Sequence, residues 1–247
     1  MARSGVWTLQ QVRDKLLAGD NWEKFNLYYG WGTNGGGQVG NNTNQNLSSP
    51  VQVPGNWDKI SRKGVNFTLG VKSGGTLWAM GYNTGGNLGL NDRTSRSSPT
   101  QIGSGTDWSS DEFSISSTSM MCAAIKTDNT LWVWGENQFG VLGLNQTHNT
   151  ASRSSPTQIP GSWAKVSVDT TNVAAIKTDG TLWAWGYNGD KQLGQGASST
   201  HQSSPVQMGS ATTWSQVNVG KDWIFSLSNP GLSVSYTHLT LPTSDLV

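Results

Sequence analysis

Short apolar runs, separated by polar and glycine-rich stretches, recur along the chain. In the clearest run, TLWAWG, Trp183 and Trp185 occupy alternate positions and share one face of a predicted strand. Leu182 and Ala184 take the opposite face. Because both faces are apolar, we expect this strand to be covered on both sides, as in sheets stacked face to face. The preceding run VAAI, at residues 173–176, carries small apolar side chains that suit the crowded inner part of a radial stack.

The pattern returns four times, at intervals of about fifty residues, which is the mark of a repeat architecture. Three segments nearly superimpose, SGGTLWAMGYN, TDNTLWVWGEN and TDGTLWAWGYN, and a weaker copy, LYYGWGTN, ends at Asn34. Each copy leads into a turn of the form N-x-x-G-x-[LV]-G, then S-S-P-x-Q and a lone tryptophan. In the last copy Lys191 replaces the first turn glycine. The residues that carry the repeat in the three strong copies are Trp78, Gly81, Asn83, Gly89, Trp132, Trp134, Gly135, Asn137, Gly143, Trp183, Trp185, Gly186, Asn188 and Gly194.

Each repeat holds the signals for four short strands. KTDG, between VAAI and TLWAWG, predicts a hairpin turn in which Asp-Gly supplies the positive φ angles. The glycines of the longer turn are expected to meet the same backbone need. The proline of S-S-P-x-Q is expected at the first residue of an edge strand, where no hydrogen-bond donor is required. Four short strands per repeat, radially stacked, predict the blades of a β-propeller.

The repeat resembles a known family. LWAWGYNGDKQLGQG, followed by SSPVQ, is similar to the repeat of the regulator of chromosome condensation family, which carries a G-x-N-x-x-G-Q-L-G signature and a downstream proline. The resemblance covers residues 27–231 and implies a seven-bladed propeller built of about fifty-residue units. Since about four units are present, we expect an all-β fold, a partial, open β-propeller of about four blades. Either the arc of blades is open or the chain is incomplete.

Residues 1–26 stand outside the repeat and predict a short helix. Thr8 and Gln11 form a capping box, apolar residues follow at helical spacing, and Gly19 is placed to end the helix. One interpretation is an amphipathic cap on the first blade. The other is an attachment segment, because SGVWTLQQVRDKLLAGDNW followed by such repeats resembles the opening of virion-associated proteins of tailed bacteriophages.

The repeat stops near the carboxyl end. VNVGKDWIFSLSNPG, residues 217–231, aligns without a gap on VSVDTTNVAAIKTDG, so a strand like TLWAWG should follow. Instead the chain continues with LSVSYTHLTLPT, which resembles the in-frame translation of a transposase sequencing adapter. We therefore expect residues 232–247 to be a non-native tail that contributes no site residue. The last unit would then lack its third and fourth strands and expose an unpaired edge.

Composition narrows the class of protein. With 13 tryptophans and only 13% charged residues, the chain is too rich in apolar aromatic surface to be disordered. The net charge is +1 and no basic stripe is present, which argues against nucleic-acid binding. Neither a signal peptide nor a membrane-spanning helix is predicted, so the sequence favours a location in a virion or in the cytoplasm.

No constellation for catalysis is found, so we predict neither enzymatic activity nor a cofactor or metal. GTNGGGQVG, which begins at Gly32, lacks the Lys-Ser/Thr of a phosphate-binding loop and recurs as a blade turn. His148 and His201 lie in loops without the spacing of a zinc site, and no G-x-S-x-G elbow occurs. The single cysteine, Cys122 in MMCAAI, is predicted to be a small core residue rather than a nucleophile.

Loops that differ between units while the scaffold stays the same are the expected binding positions. DTTN, which begins with Asp169 and Thr170, and GKDW, which contains Lys221, Asp222 and Trp223, occupy one equivalent loop of successive units. Trp223 has two interpretations: the pattern favours a core residue at the start of a strand, and the alternative is an exposed stacking residue.

These features predict a non-enzymatic structural, adhesive or binding protein whose propeller loops make the contacts. We expect it to be a component of a phage virion. Its partner would be another protein or a ligand on a host surface, with no role for nucleic acid or membrane. One alternative is a cellular protein-interaction propeller. For that alternative the resemblance implies guanine-nucleotide exchange on a small GTPase or chromatin binding, although no basic tail or exchange loop is matched. The other is a carbohydrate-binding propeller, against which most tryptophans are already assigned to the core.

Overall fold

The computed structural model describes residues 26–61, 64, 66–146, 151–196 and 198–229. The helix predicted between Thr8 and Gly19 and the non-native tail predicted for residues 232–247 lie outside the described residues.

The described residues form sixteen strands and one short 3-10 turn at Gln138–Gly140. The strands are β1 (Tyr28–Gly32), β2 (Leu47–Val53), β3 (Trp57–Ile60), β4 (Phe67–Lys72), β5 (Thr76–Gly81), β6 (Arg96–Gln101), β7 (Ile115–Ser117), β8 (Met121–Ile125), β9 (Leu131–Gly135), β10 (Arg153–Ile159), β11 (Trp163–Val168), β12 (Asn172–Lys177), β13 (Leu182–Gly186), β14 (Gln202–Gln207), β15 (Trp214–Val219) and β16 (Ile224–Ser228).

Neighbouring strands pair antiparallel in sequence order, so each sheet is one blade. We label the blades A (β1–β2), B (β3–β6), C (β7–β10), D (β11–β14) and E (β15–β16). Blades B, C and D each have four strands, whereas A corresponds to the third and fourth strands of a blade and E to the first and second. Among the described residues no sheet joins blade A to blade E, and the predicted all-β, open propeller is confirmed.

The first strands of successive blades lie innermost, where β7, β11 and β15 approach one another. Backbone-to-serine hydrogen bonds link them: the Val168 N–H donates to Ser116 Oγ at 3.1 Å, and the Val219 N–H donates to Ser167 Oγ at 3.0 Å. The small-residue run VAAI forms the second strand, β12, one place outward from this inner layer, and it is buried throughout.

Both faces of the Trp-rich third strand are buried between blades, as predicted. Trp185 on β13 lies in one buried cluster with Leu131 and Val133 of blade C. Leu182 and Ala184, on the opposite face of β13, belong to a different cluster, which continues into blade E. Each blade therefore contributes one apolar face to the blade before it and one to the blade after it.

A tryptophan hydrogen bond recurs at these blade junctions. The Trp134 indole N–H donates to the Asn87 carbonyl oxygen, and the Trp185 indole N–H donates to the Val141 carbonyl oxygen, each at 2.8 Å. Both acceptors lie in the glycine-rich turn of the preceding blade. Gly143 follows Val141 in the turn of blade C and has a φ of +66°. A Cβ atom there would lie 2.8 Å from the Trp185 indole nitrogen. Only glycine leaves room for the ring there.

The asparagine of each N-x-x-G turn is fully buried and holds its turn from within. Asn137 Oδ1 accepts a hydrogen bond from the Leu142 N–H at 2.9 Å, and its Nδ2 donates to the Gln146 carbonyl at 2.8 Å. Asn188 makes the equivalent contacts, from the Leu193 N–H at 3.0 Å and to the Ser198 carbonyl at 3.0 Å. One side chain thus satisfies backbone groups on both sides of an irregular loop.

The hairpin turns follow their predicted chemistry, since Gly180 and Asn129 adopt φ of +80° and +66°. The position predicted for the proline of S-S-P-x-Q is wrong. Pro99 is the fourth residue of β6, not its first, and the pairing of β6 with β5 is irregular there. The proline is tolerated because β6 is the outermost strand of its blade and the ladder is already interrupted.

Cys122 lies fully buried on β8 and its thiol donates to the Asn87 carbonyl at 3.4 Å. Burial raises the pKa of the Cys122 thiol well above its ordinary value. A thiol that stays protonated is a poor nucleophile, so the core role predicted for this residue is supported.

Replacing Asn137 with alanine tests the role of the buried amides. We expect Asn137→Ala to lower the free energy of unfolding by about 2 kcal/mol, because the Leu142 N–H and Gln146 carbonyl lose their partner. Urea unfolding followed by tryptophan fluorescence measures the change. Ser155→Ala, at an exposed site on β10, is the control and should change stability by less than about 0.5 kcal/mol. Equal stability of the two variants would contradict the assignment.

A second prediction concerns the outer face of blade E. Phe225 and Leu227 on β16 are 68% and 55% exposed, although their equivalents in blade D are buried. We expect the 247-residue chain to self-associate through this apolar face, and Phe225→Lys/Leu227→Glu to reduce the association. Light scattering over a concentration series reports the mass. Ser155→Lys, exposed on β10 of blade C, is the control, and the prediction is wrong if both variants associate alike.

Candidate functional site

Two sets of connections emerge at one end of the blades. The loop between the first and second strands and the loop between the third and fourth strands lie at the same end, because consecutive strands are antiparallel. We call this end the loop face. The hairpins between the second and third strands lie at the opposite end. Since the strands are occupied by packing between blades, the loop face is where side chains are free to vary.

The structure brings the candidate loops of blades D and E together on the loop face. Asp169 closes a tight turn: its N–H donates to the Asn172 carbonyl at 2.8 Å, and its Oδ1 accepts from the Thr170 N–H at 2.6 Å. Thr171 Oγ1 donates to Asn172 Oδ1 at 2.7 Å and lies 3.3 Å from the Lys221 carbonyl oxygen, across the junction between the two blades. Residues 169–171 and 220–223 therefore form one surface.

Trp223 stands at the edge of this surface with 48% of its area exposed. Its ring packs against Phe225, with centroids 4.7 Å apart, and lies over Gly220. The equivalent residue of blade D is the fully buried Asn172. The core position favoured for Trp223 is therefore wrong, because blade E presents this residue at an outer edge that no described residue covers, and the alternative, an exposed residue, agrees with the structure. Lys221 and Asp222, beside it, are also exposed.

Sequence reasoning missed an aromatic cluster on the loop face, at the junction of blades C and D. Phe139, Tyr187 and His201 form it, with ring centroids 4.7 to 5.4 Å apart. His201 Nδ1 accepts a hydrogen bond from the Asn188 N–H at 3.0 Å, which orients the imidazole. Phe139 and Tyr187 are half-buried and His201 is exposed. We call these three residues the aromatic cluster.

One signal in the sequence could have revealed the aromatic cluster. Phe139 occupies the second position after the motif asparagine, where blades A and B carry Gly36 and Gly85. A bulky aromatic residue in place of glycine, at φ of +58°, is unfavourable for the backbone. In blade A the residue at this position, Gly36, lies against Tyr82 of blade B. Tyr187 is the equivalent of Tyr82 in blade D, and Phe139 places a second ring beside it.

The aromatic cluster is continuous with the candidate loops. The Tyr187 N–H donates to the Thr171 carbonyl at 2.8 Å, and Asn172 Nδ2 donates to the Tyr187 carbonyl. Asp190 and Lys191, exposed in the neighbouring turn, add one charge of each sign. The combined surface has aromatic side chains at its centre and a mixed, nearly neutral polar surround. Aromatic centres with polar rims are typical of sites that bind proteins.

Within residues 26–61, 64, 66–146, 151–196 and 198–229, no three His, Cys, Asp or Glu side chains converge as metal ligands. In those same ranges no helix has the length and apolar character needed to cross a membrane.

Comparison with known families agrees with this architecture. The profile of the regulator of chromosome condensation (RCC1) repeat matches residues 74–116, 128–175 and 179–227, more than half of the chain. The protein belongs to the RCC1 repeat family of β-propellers. A search of curated protein sequences gave no match.

Solved structures show the same fold at low sequence identity. Human WBSCR16 superimposes with a TM-score of 0.66 at 19% identity, over 81% of this chain and 54% of its own. Prp20p from Saccharomyces cerevisiae gives 0.62 at 17% identity, over 85% of this chain and 57% of its own. The same yeast protein, solved with Kap60, gives 0.63 at 16% identity, over 83% and 54%. The chain thus spans a little over half the length of these proteins.

Proposed function

We propose that this chain is a non-enzymatic protein-binding propeller whose contact surface is the loop face at the junctions of blades C, D and E. The observation that carries the proposal is the aromatic cluster, with ring centroids 4.7 to 5.4 Å apart, beside the exposed loops at 169–171 and 220–223. Tyrosine and other aromatic side chains contribute large contact areas at low cost in conformational entropy. Such residues dominate the energetics of many protein interfaces.

The structural neighbours support binding as the class of function. The structure of Prp20p is described together with its binding to Gsp1p and histones, and a second structure holds the same protein bound to Kap60. Those partners belong to the yeast protein. What supports the present proposal is that the same fold serves there as a platform for protein contacts.

The loop face favours binding over catalysis. Its histidine, His201, uses Nδ1 as an acceptor for a backbone amide, so this nitrogen is not free to act as a base. Asp169 and Thr170 are engaged with each other in a turn. The remaining groups present aromatic area and mixed charge rather than a paired nucleophile and base.

A finer version of the proposal places the protein in a phage particle, as a structural or adhesive component. The observation that favours it is the likeness of SGVWTLQQVRDKLLAGDNW to the opening of virion-associated proteins, in residues outside the described part of the chain. In that setting the loop face would contact a host surface or another virion protein. A cellular interaction propeller is the other setting, and the fold is common to both.

The loop-face proposal is tested by selecting binders from an mRNA-displayed peptide library on the immobilised chain. We expect Phe139→Ser and Tyr187→Ser to weaken the selected peptides by about 30-fold or more, as for central aromatic residues of an interface. Tyr82→Ser, at the motif position of blade B equivalent to Tyr187, is the matched control and should leave binding unchanged. Peptides that bind all variants equally would sink the proposal. Urea unfolding of each variant verifies the fold.

The virion setting is tested separately, by mass spectrometry of purified particles from the source of this sequence. We expect peptides of the chain, such as those spanning residues 154–177, at a constant ratio to the major capsid protein through successive purification steps. Their reproducible absence from particles would leave the cellular setting as the one to pursue.

A further inference from the structure

A pocket lies between blades C and D, where the connection from β9 to β10 meets the hairpin ends of β12 and β13. Its volume is about 410 Å³, within the range of small-molecule sites. Blade C contributes apolar side chains, and blade D contributes two tryptophans, a lysine and a proline. The principal lining residues are Leu144, Ile159, Trp163, Lys177, Trp183 and Pro205.

The two tryptophans that form the wall are held in place. The Trp183 indole N–H donates to Thr181 Oγ1 at 2.8 Å, and the Trp163 indole N–H donates to the Pro160 carbonyl at 3.3 Å. The two rings meet edge to face, with centroids 6.3 Å apart and an interplanar angle of 77°. The wall is therefore ordered before any ligand arrives, which lowers the entropic cost of binding.

Lys177 gives this apolar pocket a charge. Its ammonium nitrogen lies 3.7 Å from the Trp183 ring centroid and 5.1 Å from that of Trp163. In the described part of the chain, no ion pair or hydrogen bond joins this ammonium to another residue. Asp179, the nearest acid in the sequence, is exposed and accepts hydrogen bonds from the Thr181 N–H and hydroxyl. Its carboxylate interacts with Lys177 only through space, as that of Asp128 does with Lys126 in blade C.

An equivalent pocket between blades B and C shows what distinguishes Lys177. That pocket also measures about 410 Å³, and Trp108, Lys126 and Trp132 line it in the same arrangement. There the Lys126 ammonium forms an ion pair with Asp107, at 3.1 Å. Ser162 stands in place of Asp107 in blade D. The Lys126 ammonium thus has an ion-pair partner in its pocket, whereas among the described residues the Lys177 ammonium has none.

We propose that the pocket between blades C and D binds an aryl carboxylate: a ligand with a flat apolar body and one anionic oxygen pair. The tryptophan and proline wall accommodates the ring, and the Lys177 ammonium donates charge-assisted hydrogen bonds to the carboxylate. A free aromatic acid and the carboxyl-terminal aromatic residue of a peptide both supply this chemistry. The site shares no residue with the aromatic cluster and does not depend on the function proposed for the loop face.

The binding test uses the full chain labelled with ¹⁵N and 3-phenylpropionate as the probe. Indole N–H signals of Trp163 and Trp183, assigned by Trp163→Phe and Trp183→Phe, should shift on titration. We expect Lys177→Met to weaken binding by about tenfold or more, as for loss of a charge-assisted hydrogen bond. The neutral 3-phenylpropionamide should bind comparably weakly, and added salt should reduce the affinity for the acid.

Two further variants exploit the difference between the pockets and keep both lysines and all tryptophans. Ser162→Asp should pair with Lys177, as Asp107 pairs with Lys126, and abolish binding at blade D. Asp107→Ser should free Lys126 and create a second site, reported by the indole signals of Trp108 and Trp132. If Lys177→Met does not fold, these two variants decide the question.

Acetyl-Gly-Phe and its carboxyl-terminal amide separate the two sources of ligand. Binding of the peptide acid as tight as that of 3-phenylpropionate points to a peptide terminus; binding of 3-phenylpropionate alone points to a free aromatic acid. The proposal is overturned if the amide binds as well as the acid. It is equally overturned if Ser162→Asp binds like the unmodified chain, or if no indole signal of Trp163 or Trp183 shifts.

Discussion

Each blade of this protein has two apolar faces, and each face is buried from water only when a neighbouring blade packs against it. The contact around Trp185 shows how closely the blades must fit. Its ring packs against blade C, its N–H donates to the Val141 carbonyl at 2.8 Å, and Gly143 leaves the space that the ring fills. Stability is therefore shared between neighbours, as in other repeat proteins.

This constraint also decides where chemistry can vary. The strands and the buried turn asparagines, such as Asn137, are occupied by packing and by backbone hydrogen bonds. Variation is left to residues that face outward between turns. Phe139 replaces a glycine at such a position and meets Tyr187 of the next blade, which creates an aromatic surface without disturbing the packing below it.

The pockets between blades vary in another way. The same scaffold forms two tryptophan-lined pockets of about 410 Å³, which differ in one acidic residue. Asp107 forms an ion pair with Lys126, whereas Ser162 leaves Lys177 without an ion-pair partner among the described residues. An ammonium group that contacts only indole rings is less stabilised than one that also donates charge-assisted hydrogen bonds. Lys177 therefore favours an anionic ligand that accepts such bonds.

The strands, the hairpin turns and the open, all-β propeller were predictable from the sequence. The alternation at Trp183 and Trp185, the Asp-Gly turn and the repeated Asn-Gly motif depend on local backbone geometry, which short patterns encode. The exposure of Trp223, the position of Pro99 within its strand and the meeting of Phe139, Tyr187 and His201 became visible in the folded protein alone. Those features depend on how one twisted sheet is placed against the next, which is set by packing between distant residues rather than by any local pattern.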